Sequence, residues 1–359
     1  MSLMYANMPL DRCTNQRKNK RWLMSEFTHQ NTLFCIINDG MSLFSHDNIF
    51  TPLYLTKSQL DSLSVDSCIY LGKNLGKGYF GKNLGEEDES LTSTNVKSLF
   101  VVDFKKLRFS TQAQLLNLGQ WQNLREVTPN LTALDASIQA LAKALVYWHT
   151  THQYCGKCGN ASRSVEAGHA RRCTECRNVS FPRTDPAVIM LVEHKFPDGI
   201  ARCLLGRNAK WRAGMYSTLA GFVDPGETLE EAVIREVLEE TAVVVENPQY
   251  ITSQPWPFPA SVMLGFTAVA TSTTIDISQD DLEDCQWFSR EQLASFYKGT
   301  NAGINIDKNA GVNVDHTVEA SVVESVEAND QNPEYRLSSS DSISSYLITA
   351  WKNKEIGQY

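Results

Sequence analysis

Between Gly221 and Val243 the chain reads GFVDPGETLEEAVIREVLEETAV, which sets Glu236, Glu239 and Glu240 three and four residues apart beside Arg235. Carboxylates at those spacings repel on an isolated helix by roughly 0.2–0.5 kcal/mol per pair. Asp224-Pro225-Gly226 is a turn signal, and Thr228 with Glu231 forms a capping box that predicts a helix starting at Leu229. On the helical period Leu229, Val233, Glu236 and Glu240 fall in one narrow sector, with Glu239 close beside it. An apolar stripe that turns acidic along the same face aims its carboxylates inward, where unpaired charge is costly or is driven to protonate. A bound cation removes the difficulty, and an all-oxygen donor set favours Mg²⁺ or Mn²⁺. The competing interpretation is a solvated acidic helix face; the inward angle and the defined turn-and-cap approach argue against it.

A second metal is expected from Cys155-Gly-Lys-Cys158 and Cys173-Thr-Glu-Cys176, two CxxC turns with fourteen residues between them. Four thiolates complete the tetrahedral shell of zinc and leave no open position, so this site is structural. Gripping nucleic acid through Arg171, Arg172 and Arg177 is the alternative role for such a ribbon. The odd total of nine cysteines, four of them so patterned, suits a reducing compartment better than a disulfide framework. The first twenty residues hold no continuous apolar core of a secretory signal, and no run is long and apolar enough to span a bilayer. The expectation is a cytoplasmic protein without a membrane partner. A net charge of -8 argues against a protein whose main task is coating nucleic acid or an anionic membrane.

Three domains are expected. Residues 1–130 carry short β-rich runs (LFCII, FTPLYL, SCIYL, SLFVVDF) and form an N-terminal β-rich α+β domain. Within it, the Gly/Lys-rich stretch from Gly72 to Gly85 lacks the Ser or Thr a P-loop requires and is expected to be a flexible surface loop. Residues 131–182 hold a linker helix, with Leu134, Ile138, Leu141, Leu145 and Trp148 at helical spacing, followed by the four-cysteine zinc ribbon. Residues 183–359 form the domain that carries the acidic helix, with strands AVIMLV and ARCLLG around Pro197-Asp198-Gly199 and a last helix from about Ser342. The polar, acidic stretch 300–335 is expected to be an extended insert.

The acidic segment resembles the Nudix box, in which a Gly, five residues, Glu and seven residues precede Arg-Glu-apolar-x-Glu-Glu-x-Gly-apolar. Gly221, Glu227, Arg235, Glu236, Val237, Glu239, Glu240 and Val243 fit it, and Ala242 stands where the family has Gly. The resemblance implies an α/β/α sandwich with a mixed sheet and hydrolysis of a nucleoside diphosphate linked to another group. It implies that Glu236, Glu239 and Glu240 hold the divalent ions, with the Ala220 carbonyl as a further ligand, while Glu227 and Arg235 orient loop and helix.

The segment Ser253–Met263, SQPWPFPASVM, alternates three prolines with Trp256 and Phe258 and so holds aromatic faces on a stiff backbone suited to walling a flat ring. With the four-cysteine ribbon before the catalytic domain, it is similar to the NADH pyrophosphatase branch of the Nudix hydrolases. That likeness places Gln254, Pro255, Trp256, Pro257, Phe258, Pro259, Ala260 and Ser261 around a dinucleotide, with Phe181 stacking on substrate. Asp281 falls where a bacterial relative has a metal-binding Glu, with Glu283 as a substitute, and Ser344 falls near the substrate. The expected reaction is hydrolysis of NADH or NAD⁺ to nicotinamide mononucleotide and AMP by a homodimer. Removal of the NAD cap from RNA by the same chemistry is the close rival, and a non-catalytic dinucleotide sensor ranks below both.

Overall fold

Strand side chains alternate between two faces, and in the N-terminal domain both faces are apolar and both are covered. The computed structural model describes residues 3–6, 8, 10–48, 50–60, 62–74, 98–278, 281–298 and 335–359. Its N-terminal part runs β1 (Leu10–Asp11), α1 (Lys20–Thr28), β2 (Leu33–Asn38), β3 (Met41–Ser45), β4 (Leu55–Thr56), β5 (Cys68–Asn74) and β6 (Leu99–Asp103). Helix α2 (Phe109–Leu118), β7 (Gly119–Gln122), α3 (Leu124–Val127) and α4 (Ala133–Thr151) follow. The sheet order is β1-β5-β6-β2-β3-β7, with β4 beside β2. Leu33, Cys35 and Ile37 of β2 pack with Ile138, Ala142 and Leu145 of α4. Phe34 and Ile36 point the other way, onto Phe27 of α1 and Leu115 of α2. Each fully buried side chain of this kind contributes about 1.5–3 kcal/mol. The helix expected as a linker is thus α4, whose buried side belongs to the N-terminal core.

The stretch expected to be a loop from Gly72 begins inside a strand. Gly72 and Lys73 belong to β5, Lys73 pairs with Asp11 of β1, and a β-carbon on Gly72 would lie 2.6 Å from the Asp11 carbonyl oxygen. Its continuation from residue 75 to 85 lies outside the described residues, as does all but the end of the expected 300–335 insert.

The ribbon consists of β8 (Ser162–Val165), β9 (Ala170–Cys173) and β10 (Val179–Ser180) in the order β10-β9-β8. The C-terminal domain runs β11 (Asp185–Lys195), β12 (Ala201–Asn208), β13 (Met215–Tyr216), β14 (Leu219–Phe222) and α5 (Leu229–Thr241). It continues with β15 (Val245–Trp256), β16 (Ser261–Ala270), β17 (Leu282–Ser289), α6 (Arg290–Ser295), β18 (Tyr297–Lys298), β19 (Arg336–Leu337) and α7 (Ile343–Lys352). Its main sheet has the order β15-β16-β11-β12-β17, with β14 also on β11. Because β11 and β16 are parallel and the other pairs antiparallel, the sheet is mixed. Val188, Met190 and Val192 of β11 meet Ala232, Val233 and Val237 of α5. Ile189 and Leu191 face the opposite layer, Leu347, Ile348 and Trp351 of α7. A helix on each face gives the expected α/β/α sandwich within an α+β chain. Among the described residues no helix is long and apolar enough to cross a membrane.

Candidate active site

The acidic helix starts where its capping box requires. Thr228 Oγ1 accepts from Glu231 N at 3.2 Å, and Glu231 Oε2 accepts from Thr228 N at 2.8 Å. Within the helix, Arg235 organises the carboxylates. Its Nε and Nη2 donate to the two oxygens of Glu227 at 2.5 and 3.0 Å, and Nη2 also donates to the Phe222 carbonyl at 2.8 Å. Nη1 donates to Glu236 Oε1 and to Glu239 Oε2, each at 2.9 Å. Glu227 in turn accepts from Asp224 N at 2.9 Å, so the pair fixes the turn against the helix. The bonds from Arg235 hold the Glu227 carboxyl below its usual range.

The inward stripe is only partly as expected. Glu236 is 14% exposed at its side chain and Glu240 is half-buried, but Glu239 is 59% exposed and reaches back to Arg235. Burial pushes the Glu236 carboxyl above its ordinary value, against the pull of Arg235. Glu240 lies toward β17, where together with burial and Asp284 it raises the Cys285 thiol to about 12. Three carboxylates therefore bond to one guanidinium, with Glu240 apart toward β17. They are hard oxygen donors of the kind a divalent cation takes, but among the described residues only the four cysteines already bring three or more ligand atoms within 4.8 Å. Glu236 and Glu239 share Arg235 Nη1, so ligation requires them to turn from that nitrogen to the ion.

Two successive residues of β14 connect these carboxylates to a cleft on the other face of the sheet. Gly221 pairs with Val188 and adjoins Glu236, whereas Ala220 pairs with Ile189 and packs among Ile189, Met263 and Ile343. Those last three residues, with Trp256 and Ser344, line a cleft of about 380 Å³. Ser344 is buried, and its Oγ accepts from Ser217 Oγ at 2.8 Å and from Thr218 N at 3.1 Å, tying α7 to the approach of β14.

Residues 255–261 divide among three cavities within one chain. Trp256 lines the cleft, but Pro255, Pro257, Ala260 and Ser261 face, with Trp256, a separate cavity of about 330 Å³ beside Tyr5 and Arg183. Phe258 packs edge-on against Tyr5 and Trp256, and Phe258 and Pro259 border a third cavity beside Lys143. Gln254 is fully buried and its amide serves the backbone, donating to Met4 and Asp341 carbonyls and accepting from Ile343 N. Phe181 is 55% exposed and stands outside the cleft. Asp281 is exposed just before β17, and Glu283 pairs with Arg207 at 2.6 Å, a bond it would have to give up to act as the substitute ligand.

The four ribbon cysteines converge. The Sγ atoms of Cys155, Cys158, Cys173 and Cys176 lie within 4.8 Å of one another, with neighbouring pairs at 3.4–3.6 Å. A tetrahedron of zinc–sulfur bonds near 2.3 Å has edges of about 3.8 Å, so the four thiols fit the ion. The Asn160 backbone N–H and the neighbouring thiols hold Cys158 down at about 6. Of the expected cationic patch, Arg171 is buried and engaged by Ser162 and His149, so it cannot grip a ligand. On the next residue of β9 the side chain faces out, leaving Arg172 exposed.

Arg125 of α3 lies over the Trp256 ring at 5.1 Å and, with Trp211, Ser339 and Asp341, lines the cleft. None of these was singled out from the sequence. The hydroxyl-rich run Ser338–Ser342 was the one available signal, whereas Arg125 reaches the site only through packing between domains.

A mixed sheet between helices, with an acidic capped helix over a Gly-containing strand and a four-cysteine ribbon ahead of it, defines a zinc-ribbon Nudix protein. The NADH pyrophosphatase-like rudimentary NUDIX domain matches residues 31–148, the NADH pyrophosphatase zinc ribbon domain residues 150–181, and the NUDIX domain residues 183–306. The chain is 40% identical over 261 residues to the mitochondrial NAD(P)H pyrophosphatase NUDT13 of Homo sapiens, covering 69% of this chain and 72% of that protein. It is 34% identical over 323 residues to the NAD-capped RNA hydrolase NUDT12 of Macaca fascicularis, covering 80% of this chain but 66% of the relative, just under two thirds of its length. The NAD-capped RNA hydrolase NudC of Pseudomonas entomophila (strain L48) is 38% identical over 188 residues, 52% of this chain and 65% of that one. The chain belongs to the Nudix hydrolase family, in its NADH pyrophosphatase branch.

Proposed function

We propose that the protein hydrolyses the diphosphate of NADH or NAD⁺ to nicotinamide mononucleotide and AMP. The observation that carries this reading is the placement of Glu236 and the Trp256 cleft on opposite sides of Ala220-Gly221, one residue apart on β14. A dinucleotide with its ring against Trp256 and Met263 would bring its linked phosphates to the carboxylates at the edge of the sheet. Glu236, Glu239 and Glu240, with the Ala220 carbonyl and Asp281, would hold Mg²⁺ or Mn²⁺. When bound, such an ion supplies charge neutralisation on the diphosphate and lowers the pKa of water. Water adds to one phosphorus, the bridging P–O bond breaks, and the leaving phosphate takes the proton.

The chain's own residues supply the rest. Arg235 and Glu227 keep the turn and helix in register, and Arg125 over Trp256 stiffens the aromatic wall. Phe181 lies outside its own cleft, so its stacking role rests on a second copy presenting it, in a homodimer. We place the divisions between domains at 130 and 182 and the protein in the cytoplasm.

Removal of the NAD cap from RNA is the second reading, supported by the similarity to NAD-capped RNA hydrolases. A non-catalytic dinucleotide sensor ranks last because Glu236, Glu239 and Glu240 are all present. Purified protein incubated with NADH and Mn²⁺ should release AMP, and Glu240→Gln should abolish release. No AMP above a no-enzyme control would end the hydrolase reading, and calorimetric NADH binding without turnover would favour the sensor.

A further inference from the structure

Away from the catalytic cleft, a second cleft of about 590 Å³ lies between the ribbon and the N-terminal domain. Arg17, Lys18 and Lys20 line one wall, Arg163 and Arg172 the other, with Asp66 and Glu166 as its two acids. On a chain of net charge -8, five cations around one cleft is a marked local reversal of sign.

The cations are held there against their own repulsion. Arg163 and Arg172 are directly opposed across β8 and β9, and both are exposed. Like charges at opposed strand positions are destabilising. Helix α1 carries Lys20 and Arg21 in its first turn and no acid there, the reverse of what its dipole favours. Among the described residues the cleft holds one ion pair, Lys18 to Glu166 at 3.9 Å; Lys20, Arg163 and Arg172 form none, and Arg17 feels Glu166 only at longer range. Arg17 also has a buried Nε without a hydrogen-bond acceptor, and its guanidinium is lowered from its ordinary value chiefly by desolvation. Three arrangements of positive charge, on an α-helix, a hairpin and a desolvated arginine only partly offset by Glu166, meet in one cleft. A polyanion seated there relieves all three.

We propose that this cleft binds the phosphodiester backbone of single-stranded RNA. The inference deepens the second reading above and names the RNA body, recognised through its phosphates, as part of the substrate. An RNA chain is favoured over an acidic peptide because the cations come from two walls and the chain is similar to enzymes that act on capped RNA. The cleft's lining is charged and aliphatic, without an aromatic ring on which a base could stack, so binding is independent of sequence.

The test uses the full-length protein and an uncapped, 3′-labelled single-stranded RNA of about twenty nucleotides, its affinity followed by fluorescence anisotropy from about 50 to 200 mM salt. Arg163→Ala with Arg172→Ala should weaken binding roughly tenfold and reduce the log–log salt slope by about 1.4, two phosphates at about 0.7 each. Lys18→Ala with Lys20→Ala, on the opposite wall, should do likewise. Both variants should keep the NADH turnover of the wild type, which also shows that they are folded. RNA binding unchanged in both variants, no RNA binding by the wild type, or displacement of RNA by polyglutamate as readily as by a second RNA would overturn the proposal. Failure of the dinucleotide reading is separately visible, as absence of AMP release from NADH by the wild type.

Discussion

The carboxylate of Glu236 occupies the space that a side chain on Gly221 would need. A β-carbon built on Gly221 would lie 1.9 Å from Glu236 Cδ and 2.0 Å from Oε2. The glycine at the head of the acidic motif is therefore a matter of room beside strand β14, since its backbone is not among the positive-φ positions. Gly221→Ala should leave the fold intact and displace Glu236 by about an ångström or more. Misplacement on that scale costs around a hundredfold in rate. We expect kcat for AMP release to fall by about that factor with KM little changed. A variant with near-normal kcat would show that Glu236 does not act from this position.

Ala242 ends the acidic helix at φ 58, in the left-handed region, with its N–H donating to Leu238 O at 2.9 Å. Residues with a β-carbon pay about 1–2 kcal/mol for that conformation, and glycine recovers most of it after its own entropy loss. Ala242→Gly should stabilise the protein by roughly 0.5–1 kcal/mol in chemical denaturation and leave kcat unchanged. Destabilisation would mean that the methyl group makes contacts worth more than the backbone strain.

Local chemistry was readable in the sequence, and long-range partnership was not. The start of α5 at Leu229 follows from Thr228 and Glu231 alone, and the convergence of the cysteines follows from two CxxC turns. The side on which a residue falls was harder. Arg171 and Arg172 are adjacent in the sequence, yet alternation along β9 buries the first and exposes the second. The family likeness set Gln254 around the dinucleotide, whereas its amide is engaged by backbone groups from Met4 and from the start of α7. Arg125 joins the cleft only because α3 of the N-terminal domain packs beside Trp256, an arrangement no spacing rule encodes.

His149 fastens α4 to the ribbon in its neutral form. Arg171 can only donate, so His149 Nδ1 accepts from Arg171 Nη1 at 2.9 Å and Nε2–H donates to the Gly168 carbonyl at 2.7 Å. Burial, first, and then Arg171 lower its pKa from 6.5 to about 4. With the folded value depressed, the unfolded chain binds more protons between these limits. The stabilisation is therefore complete above pH 6.5 and is lost as pH falls toward 4. By pH 5 the loss amounts to roughly 2 kcal/mol. Thermal melts at pH 7 and pH 5 should show a smaller drop for His149→Gln than for the wild type. Equal drops would place the acid sensitivity elsewhere.

Gln254 separates a positioning role from direct contact with substrate. Its Nε2 donates to Asp341 O at 2.7 Å and Met4 O at 3.1 Å, and its Oε1 accepts from Ile343 N at 2.8 Å, all at a fully buried position. Asp341, Ile343 and Ser344 line the cleft, so this one amide fixes the rim on which a bound ring would rest. Gln254→Ala leaves a backbone N–H and two carbonyls without their partner, at a cost of roughly 1–3 kcal/mol for each group left buried. Stability should fall by about 3 kcal/mol, and KM for NADH should rise several-fold while kcat at saturation changes little. Gln254→Glu retains the acceptor for Ile343 N but sets a carboxylate against two carbonyl oxygens, so it should not rescue either property. If Gln254→Glu restored KM and stability together, the amide hydrogens would be dispensable and the latch to Met4 and Asp341 would have no part in shaping the cleft.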